Sequence, residues 1–262
     1  MTIFQHKLWG YELTYPDEWT HKSIQDTEGF AAIPESLTPD YAGPTLGHLL
    51  VRGEWNGARQ PIELLWGQHV GKLAVMLGAK NVGAAPWQMG GASGFEVEIV
   101  LPKQNDKRLW AGILAREATI LHFMVVHLKE ERAWFEPLAT QIISSLRFVE
   151  RASGIATNQV GLPLPPNYTP ADPNTILPDI ADPEHWRAYE GLSRVDALQA
   201  FYLREAPAHG WEITEYVPFS SQSDIDFARL QLRKDDQTVM LGIMPSEGKN
   251  PTGNIAIKSS LS

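Results

Sequence analysis

Between Ile62 and Leu77 the apolar residues Ile62, Leu65, Trp66, Val70, Leu73 and Leu77 recur at spacings of three and four, bracketed by Pro61 and Gly78. That period is one face of an α-helix, and proline before with glycine after is the asymmetry of real helix ends, so the spacing predicts a helix over 61–77. Trp134, Leu138, Ile142 and Leu146 predict a second helix, with Pro137 expected in its first turn, the one place a helix tolerates proline. The intervening chain has period two. Tyr11–Tyr15 alternates and stops at Pro16-Asp-Glu, Trp19 opens the next strand, and Thr45–Trp55 ends at Asn56-Gly57. Phe95-Glu-Val-Glu-Ile-Val alternates apolar with acidic, which predicts one wet face. Leu109–Arg116 and Thr119–Leu128 are apolar on both faces, with Ile120, Met124 and Val126 on one side of the latter and Leu121, Phe123 and Val125 on the other. A strand of that kind sits in the middle of a sheet covered on both sides.

Between Glu150 and Asn167 the periodicity disappears, and seven prolines lie between Pro163 and Pro183. Such chain is extended and stiff, so residues 160–183 are expected to lie as a strap along one domain's surface. Order resumes with Ser193, read as a helix N-cap, then Val195, Leu198, Phe201 and Tyr202 as the apolar face and Gly210 as the stop. Trp211–Tyr216, Ala228–Arg233, Val239–Ile243 and Ile255–Ile257 read as strands, the middle two joined across Lys234–Gln237 as a hairpin. The expected class is α+β. An N-terminal α/β/α sandwich with a mainly antiparallel sheet spans 1–150, a Pro-rich linker 151–166, and a smaller two-layer α+β domain 167–262.

Composition narrows this little. At 262 residues with 43% hydrophobic positions, two ordinary cores can be filled. No cysteine is present, which excludes disulfides, zinc–thiolate and iron–sulfur sites and thiol nucleophiles. The formal charge is −9; up to residue 159 there are 14 basic and 17 acidic residues, and beyond it 8 and 14, giving −3 and −6. Neither half has the basic stripe that nucleic acid or an anionic membrane would need. The first ten residues read as a strand and not as a signal peptide, and no apolar run is long enough for a membrane helix, so a cytoplasmic location is expected.

Three stretches carry a family likeness: Tyr11-Glu-Leu-Thr-Tyr-Pro-Asp-Glu-Trp19, the helix 61–77 followed by Gly90-Gly-Ala-Ser-Gly94 and strands, and the closing helix running into Ser144-Ser-Leu-Arg-Phe148. With them the first 150 residues resemble the PsbP/Mog-type α/β/α sandwich, a family that includes DcrB-like proteins and effector-associated chaperones. The resemblance implies non-catalytic work, with another protein as partner. The second half, through Gly161-Leu-Pro-Leu-Pro-Pro166, Ala200-Phe-Tyr-Leu-Arg-Glu205 and His209-Gly-Trp211, resembles a small bacterial domain of unknown role.

The polar residues form no linear motif. Eight histidines (6, 21, 48, 69, 122, 127, 185 and 209) include no pair at helical i,i+3 or i,i+4 spacing, and His122 and His127, five apart on one strand, point to opposite faces; no metal and no cofactor is expected. Gly90–Gly94 is followed by a strand where a phosphate loop or a Ser93 nucleophile elbow needs a helix, so it reads as a hairpin or bulge between strands. Glu96 and Glu98 share a face as an acid–base pair would, or as the wet side of a strand does. Asp224, Asp226, Asp235 and Asp236 miss the calcium-loop spacing, and Asp235-Asp236 suits a hairpin tip. Of nine tryptophans, Trp66 and Trp134 are expected to face the core from their helices and Trp19 to plug the sheet edge; Trp55, Trp87 and Trp110 are the candidate interface residues. Two competing readings stay open. One is an enzyme or small-ligand binder gathering His127, Glu117 and Asp196 in an interdomain cleft; the other is an assembly module pairing through an edge strand at Ile255–Ile257.

Overall fold

The structure, a computed structural model, describes residues 1–24, 26–38, 41, 43, 46–78, 83–101, 107–178, 180–219, 226–246 and 252–261. Asp224 lies outside them, as does Thr45 at the start of one expected strand. The chain divides into two compact units: residues 1–5 with 11–148, and residues 6–10 with 149–262.

The first unit is built on seven strands: β3 (Thr20–Ile24), β4 (Thr27–Ala31), β5 (His48–Trp55), β6 (Ala85–Met89), β7 (Ala92–Leu101), β8 (Lys107–Arg116) and β9 (Thr119–His127). Their order across the sheet is β3-β4-β5-β9-β8-β7-β6, and all neighbours are antiparallel. The doubly apolar β9 is the central strand, as its pattern predicts. Gly90 and Gly91, at φ +57° and +78°, close the two-residue turn between β6 and β7, a backbone that favours glycine. Helix α1 (Ile62–Leu77) covers one face, burying Trp66 and Leu73 against Val97, Ile99, Leu109, Ala111, Ile113 and Ile120. Helix α2 (Arg132–Ser144) covers the other, with Phe135 fully buried and stacked on Trp19 at 5.5 Å. Beside α2 lies a second sheet of β1 (Thr2–His6), β2 (Tyr11–Tyr15) and β10 (Arg147–Phe148), in the order β1-β2-β10.

Two helix expectations need correction here. Trp134 is not a core residue: it is 40% exposed, because Phe135, Ala139, Ile142 and Ile143 form the buried stripe. Pro137 stands in the second turn of α2, since the helix starts directly from a 3₁₀ turn at Lys129–Glu131. Its missing N–H leaves the Ala133 carbonyl unpaired, but Ala133 and Pro137 are both exposed, so water can satisfy that oxygen.

The second unit is two-layered. Its six strands are β11 (Thr169–Ala171), β12 (Trp186–Glu190), β13 (Glu212–Val217), β14 (Ala228–Lys234), β15 (Gln237–Pro245) and β16 (Gly253–Leu261), ordered β11-β12-β16-β15-β14-β13. A single helical turn, α3 (Pro173–Ile176), follows β11, and the long helix α4 (Val195–Ala208) packs Leu198, Phe201 and Tyr202 onto the sheet. Arg194, not Ser193, is the N-cap of α4 and makes no side-chain cap; the Ser193 carbonyl instead accepts the Gly253 N–H. Nor is β16 an edge strand. It pairs with β12 on one side and β15 on the other, which leaves its backbone no free row for a second chain. The Pro-rich stretch buries Ala152 and Leu162, and Leu162 belongs to this unit's core. Glu205, fully buried on α4, accepts the Ala152 N–H at 2.8 Å and Arg204 Nε at 3.0 Å, while Arg204 also donates to the carbonyls of Lys7 and Leu8.

Candidate functional site

The alternation of the seven-stranded sheet decides which polar groups meet. Even-numbered residues of β5 and β9 face α1: Leu50, Arg52 and Glu54 from the first, Ile120, His122 and Met124 from the second. Arg52 and His122 stand directly opposite one another in the pairing register. From α1, Leu65, Gln68, His69, Lys72 and Leu73 face them, and together these residues bound a cavity of about 320 Å³. Its lining is mostly apolar, and the Arg52–His122 pair stands between the Leu50–Met124 and Glu54–Ile120 pairs.

Glu54 holds the Arg52–His122 pair together. One of its carboxylate oxygens accepts His122 Nε2 at 2.9 Å and Arg52 Nη2 at 3.2 Å. The hydrogen bond from His122, with smaller help from the nearby cations, pulls the Glu54 pKa down to about 2. The His69 ring lies 4.7 Å from that of His122. Burial, reinforced by the neighbouring His122 ring and Arg52 guanidinium, pushes His69 down to about 4, so its imidazole is neutral at physiological pH. His122 Nδ1 is buried without a hydrogen-bond partner, and Lys72 is exposed with no ion-pair partner among the described residues. Among the described residues no three histidine, aspartate or glutamate side chains converge as metal ligands.

A second cavity, of about 240 Å³, lies on the α2 face of the same sheet. Here the sequence-singled aromatics are placed. Trp87 and Trp110 meet edge to face at 5.2 Å, Trp87 also packs on Phe123, and Trp110 Nε1 donates to Glu96 at 2.9 Å. Both indole rings lie over Gly112, where a Cβ would come within 2.7 Å of each. Trp55 is not brought to them: it ends β5 beside the Asn56-Gly57 turn, with a buried indole N–H lacking a partner. Glu96 and Glu98 do share this face, with Glu96 taken by Trp110 and Glu98 3.9 Å from Arg108. His127 and His122 do point to opposite faces: His127 is buried near α2, with Nδ1 on the Leu128 carbonyl and Nε2 3.3 Å from Glu136. Glu117 occupies the turn at the other end of β9, and Asp196, in the second unit, pairs with Arg194 at 2.6 Å. The residues imagined in a cleft are thus not one cluster: His127 and Glu117 stand at opposite ends of a strand.

Sequence reasoning had the two cavity histidines only as unlinked residues and passed over Arg52, Glu54 and Lys72. Their signals were present, with Arg52 and Glu54 at i,i+2 on a strand and His69 and Lys72 at i,i+3 on a helix. What was missing was the register that sets Arg52 against His122.

No protein family and no curated protein matches the chain. Solved structures are similar in fold. PsbP (CyanoP) from Synechocystis sp. PCC 6803 shares 11% identity over 56% of this chain and 91% of its own, with a TM-score of 0.42. The Saccharomyces cerevisiae Ran-binding protein Mog1p shares 11% over 56% of this chain and 95% of its own, with a TM-score of 0.39. A protein of Bacteroides thetaiotaomicron shares 9% over 95% of this chain and 88% of its own, with a TM-score of 0.38. PsbP and Mog1p, the two names that the expected resemblance carries, are thus among the solved structures this chain is similar to. No helix among the described residues is long and apolar enough to cross a membrane.

Proposed function

We propose that this protein works by binding and not by catalysis, and that the cavity beneath α1 is its binding seat. The observation that supports this is the cavity itself: a mostly apolar lining with a few convergent polar groups. Sites for compact ligands have that composition. The proposal moves the ligand site from a cleft between domains into the first unit. It keeps the domain reading of 1–150 as the recognising part and 167–262 as an accessory.

A fragment screen by amide and side-chain NMR tests it. Hits should shift resonances of Arg52, Glu54, His69, Lys72 and His122 together. Hits that cluster anywhere else would refute the assignment. A second reading, in which a partner protein docks on the α2 side, is favoured by the exposure of Trp134 beside Ala133 and Pro137. Trp134→Ala would then abolish complex formation with the native partner while leaving the melting temperature unchanged; retained binding would dismiss it.

A further inference from the structure

Resting on the α1-side cavity as the binding seat, we propose that its ligand is a small apolar monocarboxylate, its head among Lys72, Arg52 and His122 and its tail on Leu50 and Met124. The charge lining carries the argument. Arg52 and Glu54 offset one another at 3.2 Å, His69 is neutral, and Lys72 is the positive charge left over. A neutral ligand would leave that ammonium unused and a cationic one would be repelled by it; an anion is attracted.

The single surplus charge selects a carboxylate head. His122 gives its Nε2 proton to an ionised Glu54, which holds the ring in one orientation with Nδ1 turned away from that carboxylate. With His122 committed to Glu54, Lys72 is the charged group left to meet an anionic head. One surplus ammonium suits a single negative charge. A dianionic phosphate would ask for more donors than Lys72 alone offers. Beyond the head the lining is aliphatic, and a volume of about 320 Å³ lies at the small end for ligand pockets, which fits a short chain and not a nucleotide.

Calorimetric titration of the full chain with hexanoate, hexanol and hexylamine tests the class. Hexanoate should bind about tenfold more tightly than hexanol, the ratio that a charge-assisted contact supplies, with hexylamine weakest. In Lys72→Gln that preference should collapse while hexanol binding stays as it was, which also shows that the variant is folded. Equal binding of hexanol, a preference for hexylamine, or a preference unaffected by Lys72→Gln would overturn the carboxylate and leave the cavity as a binding seat. Binding of none of the three would overturn the seat itself. N-acetylglycyl-leucine places the same head at a peptide end; tighter binding of it than of hexanoate would overturn a free acid in favour of a chain terminus.

Discussion

Removing the carboxylate of Glu131 should cost this protein several kcal/mol, although Glu131 sits in a charged run, Lys129-Glu-Glu-Arg132, that looks like solvated surface. Only 4% of the residue is exposed. Its two oxygens accept the N–H groups of Leu46 at 2.9 Å, Gly47 at 3.3 Å and Leu128 at 2.7 Å. The first two lead into β5, and the third leaves β9 for α2. One carboxylate therefore bolts together the entrance of β5 and the exit of β9, the two strands that carry Arg52, Glu54 and His122. In Glu131→Ala three backbone donors lose their acceptor. At roughly 1–3 kcal/mol for each buried donor left unpaired, with the long 3.3 Å contact counted at the low end, the loss should be about 3–6 kcal/mol. That is a large part of the ~5–15 kcal/mol by which such units are stable. Glu131→Gln keeps one acceptor oxygen but turns an amide N–H₂ toward a donor, so about 2–4 kcal/mol is expected. Urea unfolding followed by tryptophan fluorescence gives both values through the midpoint at constant slope. A loss below about 1 kcal/mol for Glu131→Ala would refute the reasoning, because no arrangement with three orphaned donors is that cheap.

Other predictions follow from the same kind of counting. Stability should fall as pH drops from 6.5 toward 4, because the unfolded chain protonates His69 before the folded one does. The loss should be about 1–2 kcal/mol after allowance for a ring that solvent still reaches, and His69→Gln should flatten that window in a pH series of melting curves. The Glu54 contribution behaves differently: it is complete above pH 4.5 and is lost only between there and about 2, so Glu54→Gln should change the acid limb below pH 4.5. Gly112→Val should destabilise by about 1–3 kcal/mol and alter the near-ultraviolet signal, since both Trp87 and Trp110 must yield to the new side chain. Glu205→Ala should cost about 3–5 kcal/mol by leaving Arg204 uncompensated and the Ala152 N–H orphaned, and limited proteolysis should then cut first near residue 152.

Much of the architecture was legible because it rests on local periodicity. The 3.6-residue rhythm of 62–77 is α1, the two-sided apolar run of 119–127 is the central strand, and Gly90-Gly91 is a hairpin turn that few other dipeptides could make. Failures came where a neighbour in space overrules local pattern. Trp134 keeps helical spacing with Leu138 and Ile142 but falls just outside the stripe that Phe135 and Ala139 set against the sheet. Ile255–Ile257, a short apolar run near the end of the chain, reads as an edge; only the pairing of β16 with both β12 and β15 makes it interior.

The binding site divides along the same line. Sequence by itself determined that Arg52 and Glu54 share a strand face, that His69 and Lys72 share a helix face, and that His122 and His127 cannot act together, because side-chain direction within one element follows from its period. The tertiary structure alone decided that the first five of these six converge on one cavity while His127 joins Trp87, Trp110 and Glu136 behind the sheet. Register between strands 68 residues apart and the choice of which helix covers which face are set by the packing of the whole core, and no local spacing encodes them.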